Sequence, residues 1–377
     1  MTKMEQLKLF FQNPWAVFGV VVLGVAARMG MAACGHNYDI DSCFILAEIV
    51  RRGGNVYAET TRYNYGPVWF QIIHLLDWLA CHHQSVLRYL IAGLLTVVDV
   101  GIFLILCRLA GRLVGVLFFL NPISILITGF HSQFDNLAIA LGLLAVWQMG
   151  DDFERPVDRR KFAGLLLLGL SLATKHVLFA FPVWLAVKQR GFLQKIIVVL
   201  VPTAVFLAGF LPYWQDGQAG IIENVFRYRS ADNAYFYNLF LPGGTKYFLG
   251  SQAVWVAMLL VFALVCRRRN SFESLLLYTG VLVATSPATR NQYLAIPVSL
   301  AAVFASPWFL LYTAVGTYHI CVDGNGPHLL KYLHGSYDNL AISCLVCALL
   351  WLFWRRQMVG VLQFFWQEIN LQLGRKE

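Results

Sequence analysis

Long, uninterrupted apolar blocks are the feature that most limits what this chain can fold into. The blocks run for roughly 15 to 22 residues, the length of helix that crosses a hydrocarbon core about 30 Å thick. Of the 377 residues, 58% are apolar and only 13% are charged. A soluble domain could not bury these blocks, and inside a bilayer each backbone N–H and C=O must be paired within its own segment. The sequence therefore predicts an all-α, polytopic membrane protein and not a barrel.

About twelve spans are predicted, with both termini in the cytoplasm. They are expected at residues 14–33, 87–107, 113–130, 134–149, 162–174, 176–187, 195–212, 251–266, 272–286, 292–305, 307–321 and 340–354. This placement puts the basic clusters at 159–161 and 267–269 on the cytoplasmic side, as the positive-inside rule requires. It explains the net charge of +9 better than a nucleic-acid surface does.

The whole chain, 1–377, is predicted to form a single transmembrane domain. Residues 1–190 are expected to be a catalytic module with an outer loop at 34–86. Residues 191–377 are expected to be a variable set of helices with outer loops at 214–249 and 322–339. Segments 42–52 and 67–80 of the first outer loop are predicted as amphipathic, interfacial helices, the second with a polar stripe at Gln71, His74 and Asp77.

Two carboxylates stand together at the start of the first of these helices. Asp39 and Asp41 lie where the helix dipole keeps a carboxylate ionised, so either is a candidate base on the outer side. A pair with this spacing is also typical of a metal site, and Asp41 alone could be an N-cap. The spacing leaves these three roles open.

A compact polar island, residues 131–136, separates two predicted spans at the outer face. Its candidate binding residues are His131, Gln133, Asp135 and Asn136. Polar side chains at membrane depth are costly unless they line a wet cavity, so the island predicts a substrate site. Asp99, deep in a predicted span, is expected to hydrogen-bond a neighbouring helix, although a proton-coupled transporter would use such a group.

Several cations break the positive-inside rule. Lys175 with His176 and Arg290 fall at outer turns, and Arg227 and Arg229 fall in the second outer loop. Cations kept on the wrong side favour a bound anion such as a lipid phosphate. For the loop arginines, contact with lipid headgroups is an equal alternative.

Taken in order, four motifs resemble the GT-C superfamily of membrane glycosyltransferases, most closely the mannosyltransferases that add the first mannose to GPI anchors. The motifs are Tyr38-Asp39-Ile40-Asp41, Arg62-Tyr63-Asn64-Tyr65-Gly66-Pro67, Asn121-Pro122 before the island, and Leu172-Ala173-Thr174-Lys175. The island itself resembles a turn in the lipid-linked-oligosaccharide glucosyltransferases. The resemblance covers about residues 36–185, and Gly66 departs from the family's usual Pro or Thr.

The resemblance implies an inverting enzyme that takes one hexose from a polyprenyl- or dolichyl-phosphate and gives it to a glycan or glycolipid. It implies Asp41 as the base with Asp39 as its partner, and Lys175 as a phosphate ligand. Arg62, Tyr63 and Tyr65 would join the island in holding sugar. No cofactor is expected to be required.

The expected location is a bacterial inner membrane with a periplasmic site, in preference to the ER. Two other classes stay open from the residues. An oligosaccharyltransferase-like enzyme would use a lipid pyrophosphate and a divalent metal at Asp39 and Asp41, and a multi-pass transporter or flippase would use charges at mid-membrane. A small membrane subunit as partner is left undecided, and so is a disulfide among the outer cysteines Cys34, Cys43, Cys81 and Cys321.

Overall fold

The computed structural model describes residues 13–228, 251–288, 290–327, 329, 333 and 335–373, and within these ranges the secondary structure is helical, with no strand. The helices are α1 Pro14–Ala33, α2 Tyr38–Arg51, α3 Val56–Glu59, α4 Val68–Leu79, α5 Gln84–Leu109, α6 Arg112–Phe119, α7 Pro122–Leu126, α8 Asp135–Met149, α9 Arg159–Thr174, α10 Phe181–Ala186, α11 Phe192–Ala208, α12 Trp214–Gly220, α13 Ser251–Val265, α14 Ser271–Ala284, α15 Val298–Val303, α16 Pro307–Val322 and α17 Asp338–Leu373. Two π-helical turns, Ile127–His131 and Ile221–Phe226, follow α7 and α12. Tight 3₁₀ turns occur at His176–Leu178, Leu211–Tyr213 and Asn291–Ala295.

Within the described ranges, four helical segments are long and apolar enough to cross a membrane. They are Pro14–Ala33, Gln84–Leu109, Phe192–Phe226 and Asp338–Arg355, and a fifth arises if α6 and the segment Pro122–His131 count as one bent span. The chain is therefore a helical protein with several candidate spans. Two predicted spans, 176–187 and 292–305, are not single helices. Each begins as a 3₁₀ turn and continues as a six-residue helix, α10 with Pro182 as its second residue and α15 directly after Pro297.

The bent span owes its shape to the Asn121-Pro122 pair. The helix α6 ends at Phe119, and the Asn121 side chain then accepts the Ile123 N–H at 3.0 Å to begin α7. Proline suits the first position of a helix because it has no N–H to lose. The two halves meet at 48°. The second half ends in the π-turn, so the polar island starts at the end of a broken helix.

A buried ion pair joins the first helix to the core. Arg28 and Asp99 are both fully buried, and the Arg28 Nε donates to Asp99 Oδ2 at 2.8 Å. Thr128 donates to the same oxygen at 2.7 Å, and the Asn136 amide donates to the other at 2.8 Å. The prediction that Asp99 hydrogen-bonds a neighbouring helix is confirmed. Its strongest partner, Arg28, was not recognised from the sequence.

The helices α8, α9 and α14 run between two ends of the molecule, α8 in one direction and α9 and α14 in the other. At one end the predicted cytoplasmic loops contact each other: Lys188 donates to the Cys266 carbonyl at 3.1 Å, and the Ser271 N–H donates to Asp151 at 2.6 Å. Helix α14 starts in this cluster, and Leu282 and Val283 near its other end line a large cavity. The predicted outer ends therefore gather around one cavity.

The two predicted helices of the first outer loop are present as α2 and α4. The polar stripe assigned to α4 is only partly right, because Asp77 is buried and bonds to His82 Nδ1 at 2.7 Å. The exposed face carries Leu75, Trp78 and Leu79 beside Gln71 and His74. An apolar exposed face of this kind is typical of a helix that lies on a bilayer.

Candidate active site

The cavity has a volume of about 990 Å³, the size of a site for a substantial small molecule. Most of the candidate site residues that the sequence singled out are on its wall. They are Asp39, Arg62, Tyr63, Tyr65, His131, Gln133, Lys175, His176 and Arg290. Asp41, Asp135, Asn136 and Arg227 do not line it, and Arg229 lies outside the described residues.

The two carboxylates of the first outer loop point in different directions. Both belong to the first turn of α2, which Asn37 caps by accepting the Asp39 N–H at 3.2 Å. Residues two apart on a helix are turned by about 200° and do not face each other. Asp39 is half-buried on the cavity wall, while Asp41 is exposed and bonds to His36 Nε2 at 3.1 Å. The carboxylate in the cavity is Asp39, not the residue to which the sequence assigned the base.

One amide links Asp39 to the polar island. The Asn37 Nδ2 donates to Asp39 Oδ2 and to His131 Nδ1, each at 2.8 Å. Because Nδ1 accepts, the proton of the neutral imidazole is on Nε2. His131 is 1% exposed, yet Nε2 is without a hydrogen-bond partner among the described residues. The cavity wall therefore holds an unused N–H donor whose tautomer the Asn37 amide fixes.

A single guanidinium holds the island in place. Arg88, at the start of α5, donates to Ser132 Oγ at 2.6 Å and to the Gly129 carbonyl at 2.6 Å. It also donates at 3.1 Å to the carbonyls of Phe130 and Gly35, the latter just before α2. Ser132 has φ 49°, a left-handed conformation that costs free energy for a residue other than glycine. In the sequence, the only indication of this role of Arg88 was a single basic residue at the outer end of a predicted span.

Lys175 is not a free cation. Its Nζ is 2.7 Å from Asp135 Oδ2 and 3.2 Å from Gln133 Oε1, and both charged side chains are buried. The ammonium also lies over the rings of Tyr65 and Phe134, 4.8 and 4.7 Å from their centroids. Asp135 therefore neutralises Lys175 and does not reach the cavity to hold sugar. Asn136 bonds Asp99 instead and is likewise not on the wall.

Arg290 is the exposed cation of the cavity. It precedes the 3₁₀ turn Asn291–Ala295, where its carbonyl accepts the Tyr293 N–H, and no ion pair or hydrogen bond engages its side chain within the described part of the chain. Arg62 is half-buried, and its guanidinium stacks 3.6 Å from the Tyr38 ring centroid. Arg227 is off the wall and pairs with Glu223 at 2.7 Å on the surface. Of the predicted phosphate ligands that line the cavity, which are Lys175, His176 and Arg290, Arg290 is the one that is exposed.

The Arg62–Pro67 motif forms an aromatic wall that packs on the end of α9. Trp69, just after the motif, stacks on Phe134 with centroids 4.2 Å apart and an interplanar angle of 10°. Tyr65 meets the same ring edge-on at 5.0 Å. A Cβ on Gly66 would lie 2.1 Å from the Ala173 carbonyl oxygen, so only glycine fits. The glycine at position 66 therefore has a local steric reason.

The opposite wall comes from the C-terminal half of the chain and includes three residues that the sequence motifs did not single out. It carries Asn291, His319 and Asp323. Burial by itself raises the pKa of Asp323, but the Asn325 N–H and the Asn291 amide outweigh it and hold the pKa below its ordinary value. Asp323 is therefore ionised at neutral pH.

No protein-family model, no curated protein and no solved structure matches the chain.

Proposed function

We propose that the chain is an inverting, integral-membrane glycosyltransferase of the GT-C type. It would transfer one hexose, mannose or glucose, from a polyprenyl-phosphate donor to a glycan or glycolipid acceptor. The observation that carries the proposal is one cavity that combines a half-buried carboxylate, an N–H donor and an exposed guanidinium: Asp39, His131 and Arg290. The transfer of a sugar from its phosphate requires groups of these three kinds.

In the proposed reaction Asp39 is the general base. The Asp39 carboxylate removes the proton of an acceptor hydroxyl as that oxygen forms a bond to the anomeric carbon. The bond from this carbon to the phosphate oxygen breaks on the opposite face, and its electron pair leaves with the lipid phosphate. The proposal transfers the role from Asp41 to Asp39, because Asp39 is the one that lines the cavity.

Arg290 is proposed to stabilise the leaving phosphate. A guanidinium offers forked N–H donors to phosphate oxygens as negative charge develops there. Lys175 and His176 complete this side of the cavity. Because Asp135 neutralises Lys175, Lys175 supports the wall and adds little net charge to it.

A metal held jointly by Asp39 and Asp41 does not fit this geometry. The two carboxylates lie two residues apart on one helix, and only Asp39 is on the cavity wall. Within the described residues no group of three or more His, Cys, Asp or Glu side chains is arranged to hold an ion. The proposed reaction is therefore written with no metal step.

The proposal includes the twelve-span topology, with the cavity on the non-cytoplasmic face of a bacterial inner membrane. Support comes from the alternating helix directions and from the basic loops at the end opposite the cavity. A transporter would need free charges at mid-membrane, whereas Asp99 is fully engaged by Arg28, Thr128 and Asn136.

The test is transfer of labelled sugar by the purified protein in detergent. Polyprenyl-phosphate mannose and polyprenyl-phosphate glucose are supplied in separate reactions with EDTA, next to the matching lipid-pyrophosphate sugars. Transfer from a monophosphate donor in EDTA is expected. Activity only with a pyrophosphate donor and added manganese would replace the proposal with the oligosaccharyltransferase-like alternative, and no turnover of any donor would reject both.

A further inference from the structure

Three side chains on the C-terminal wall of the cavity form a directed chain of hydrogen bonds. The Tyr337 N–H donates to His319 Nδ1 at 3.1 Å, so the imidazole proton is on Nε2. His319 Nε2 then donates to Asn291 Oδ1 at 2.8 Å, and the Asn291 Nδ2 donates to Asp323 Oδ2 at 2.9 Å. The chain ends on a carboxylate, and each donor direction is fixed by the one before it.

The arrangement leaves half of the Asp323 carboxylate unused. Oδ2 accepts both the Asn291 amide and the Asn325 N–H, the latter at 2.9 Å. Oδ1 receives no hydrogen bond from the described residues, and Asp323 lines the cavity. A carboxylate oriented by two donors on one oxygen is well suited to accept hydroxyl protons on the other.

A complementary donor lies on the neighbouring wall. The 3₁₀ turn that carries Asn291 packs directly against the π-turn that carries His131. His131 is close enough to Asp323 for a charge on the imidazole to lower the pKa of Asp323. His131 Nε2–H is a nearly fully buried donor of the same cavity that has no hydrogen-bond partner among the described residues. One acceptor and one donor thus approach the same space from two elements.

We infer that Asp323 and His131 together form a subsite for one sugar ring, with Asp323 Oδ1 accepting from one hydroxyl and His131 Nε2–H donating to a neighbouring oxygen. The inference rests on the proposed function and adds a second carboxylate to it, which binds sugar and does not act as base. Asn291 and His319 are positioning residues, since they act through Asp323. The sugar comes from the donor or from the acceptor, and the two sources share this chemistry.

The experiment pairs Asp323→Asn with sugars that lack single hydroxyls. Monodeoxy versions of mannosyl-phosphoryl polyprenol and of octyl mannoside are compared with the parent compounds in labelled transfer. In the wild type, loss of the bound hydroxyl is expected to lower kcat/KM by about 10- to 100-fold, the effect of a hydrogen bond to a charged group. In Asp323→Asn the same deoxy compound is expected to carry a penalty of less than about threefold. If the penalty disappears with the deoxy donors, the bound sugar belongs to the donor. If it disappears with the deoxy octyl mannosides, the bound sugar belongs to the acceptor.

Equal penalties in wild type and variant for every deoxy compound would overturn the subsite. Asp216→Asn, an exposed acid away from the cavity, is the matched control and is expected to keep the wild-type penalties. Should Asp323→Asn elute as aggregate on size exclusion, His131→Phe provides the second test, since it keeps a buried ring and removes the donor. His131→Phe is expected to lose the penalty for the neighbouring hydroxyl, and keeping it would count against the subsite.

A binding measurement separates this inference from the proposed function. Isothermal titration with octyl mannoside needs no donor and no turnover. Weaker binding by about tenfold in Asp323→Asn than in Asp216→Asn would support the subsite even if no transfer is seen. Identical affinities, or no binding by the wild type, together with equal penalties across the deoxy donors, would reject the subsite, while transfer by the wild type would still stand for the proposed function.

Discussion

Replacing each carboxylate of α2 by its amide, in separate variants, tests the assignment of the base directly. Asp39→Asn and Asp41→Asn remove the same charge from the same helical turn, two residues apart. Asparagine keeps the side-chain volume, and at position 39 its oxygen can still accept the Asn37 amide. The two variants therefore differ mainly in which side of the helix they change.

The structural cost of the two changes should be nearly equal and small. Each carboxylate in the first turn of a helix contributes about 0.3–1 kcal/mol through the helix dipole, and each variant loses that amount. The bond from Asp41 to His36 is exposed and adds little. Loss of a general base, in contrast, lowers the rate by about 10²- to 10⁴-fold. Asp39→Asn is expected to show that loss in kcat, and Asp41→Asn to stay within about threefold of wild type.

The assay is the initial rate of labelled sugar transfer at saturating donor and acceptor, so that weaker binding does not imitate a slower chemical step. Size exclusion and thermal unfolding in detergent verify that both variants are folded. A large loss in Asp41→Asn with near-normal activity in Asp39→Asn would refute the reasoning and return the base to Asp41. Equal, severe losses in two folded variants would show that the carboxylates act as a pair.

Three further predictions concern the cavity wall. Arg290→Gln is expected to lower kcat/KM for the polyprenyl-phosphate donor by about 10- to 100-fold. The surface variant Arg227→Gln should change kcat/KM by less than about twofold. Equal effects of the two variants would rule out Arg290 as the phosphate ligand. Asp135→Asn should destabilise the protein by about 3–5 kcal/mol because it leaves the Lys175 charge buried without a partner. Adding Lys175→Met should recover most of the lost stability in thermal unfolding, and no recovery would mean that the pair is not coupled. Gly66→Ala should cost about 1–3 kcal/mol by pushing its methyl group into a carbonyl at the end of α9, and an unchanged melting temperature would contradict that close approach.

The overall architecture was predictable because it follows from the medium. A backbone in hydrocarbon has to pair its own polar groups, so apolar blocks predict helices almost regardless of their detailed sequence. Two predicted spans are not continuous helices. In each of them a proline, Pro182 or Pro297, follows a 3₁₀ turn at the outer end, and a hydropathy pattern does not reveal such a break. Helix position was therefore predicted better than helix continuity.

The site was predictable as a region and less so as a set of roles. The motifs placed Asp39, His131 and Arg290 at outer turns, and all three line the cavity. Sequence spacing did not indicate which of two neighbouring carboxylates faces inward, because that depends on the rotation of α2 against the core. Nor did it show that Lys175 is neutralised by a residue forty positions earlier. Contacts between distant segments decide both questions.

The C-terminal wall was missed for a similar reason. Asn291 is 28 residues from His319 in the sequence, and Asn291, His319 and Asp323 form no local motif. They become a unit only when the 3₁₀ turn at Asn291 packs against α16 and the π-turn. A pattern search along one chain has no means of joining them.

The buried pair between Arg28 and Asp99 has a consequence for how the chain is made. Arg28 leaves the ribosome seventy-one residues ahead of its counter-ion. An unpaired arginine in a membrane helix opposes insertion, by about 2.5–3.5 kcal/mol at the helix centre and by less toward an end, where Arg28 lies in Pro14–Ala33. The helix α1 is thus expected to stay beside the translocon until α5 has been synthesised. The two then leave for the lipid together, so that the order of synthesis becomes part of how the core assembles.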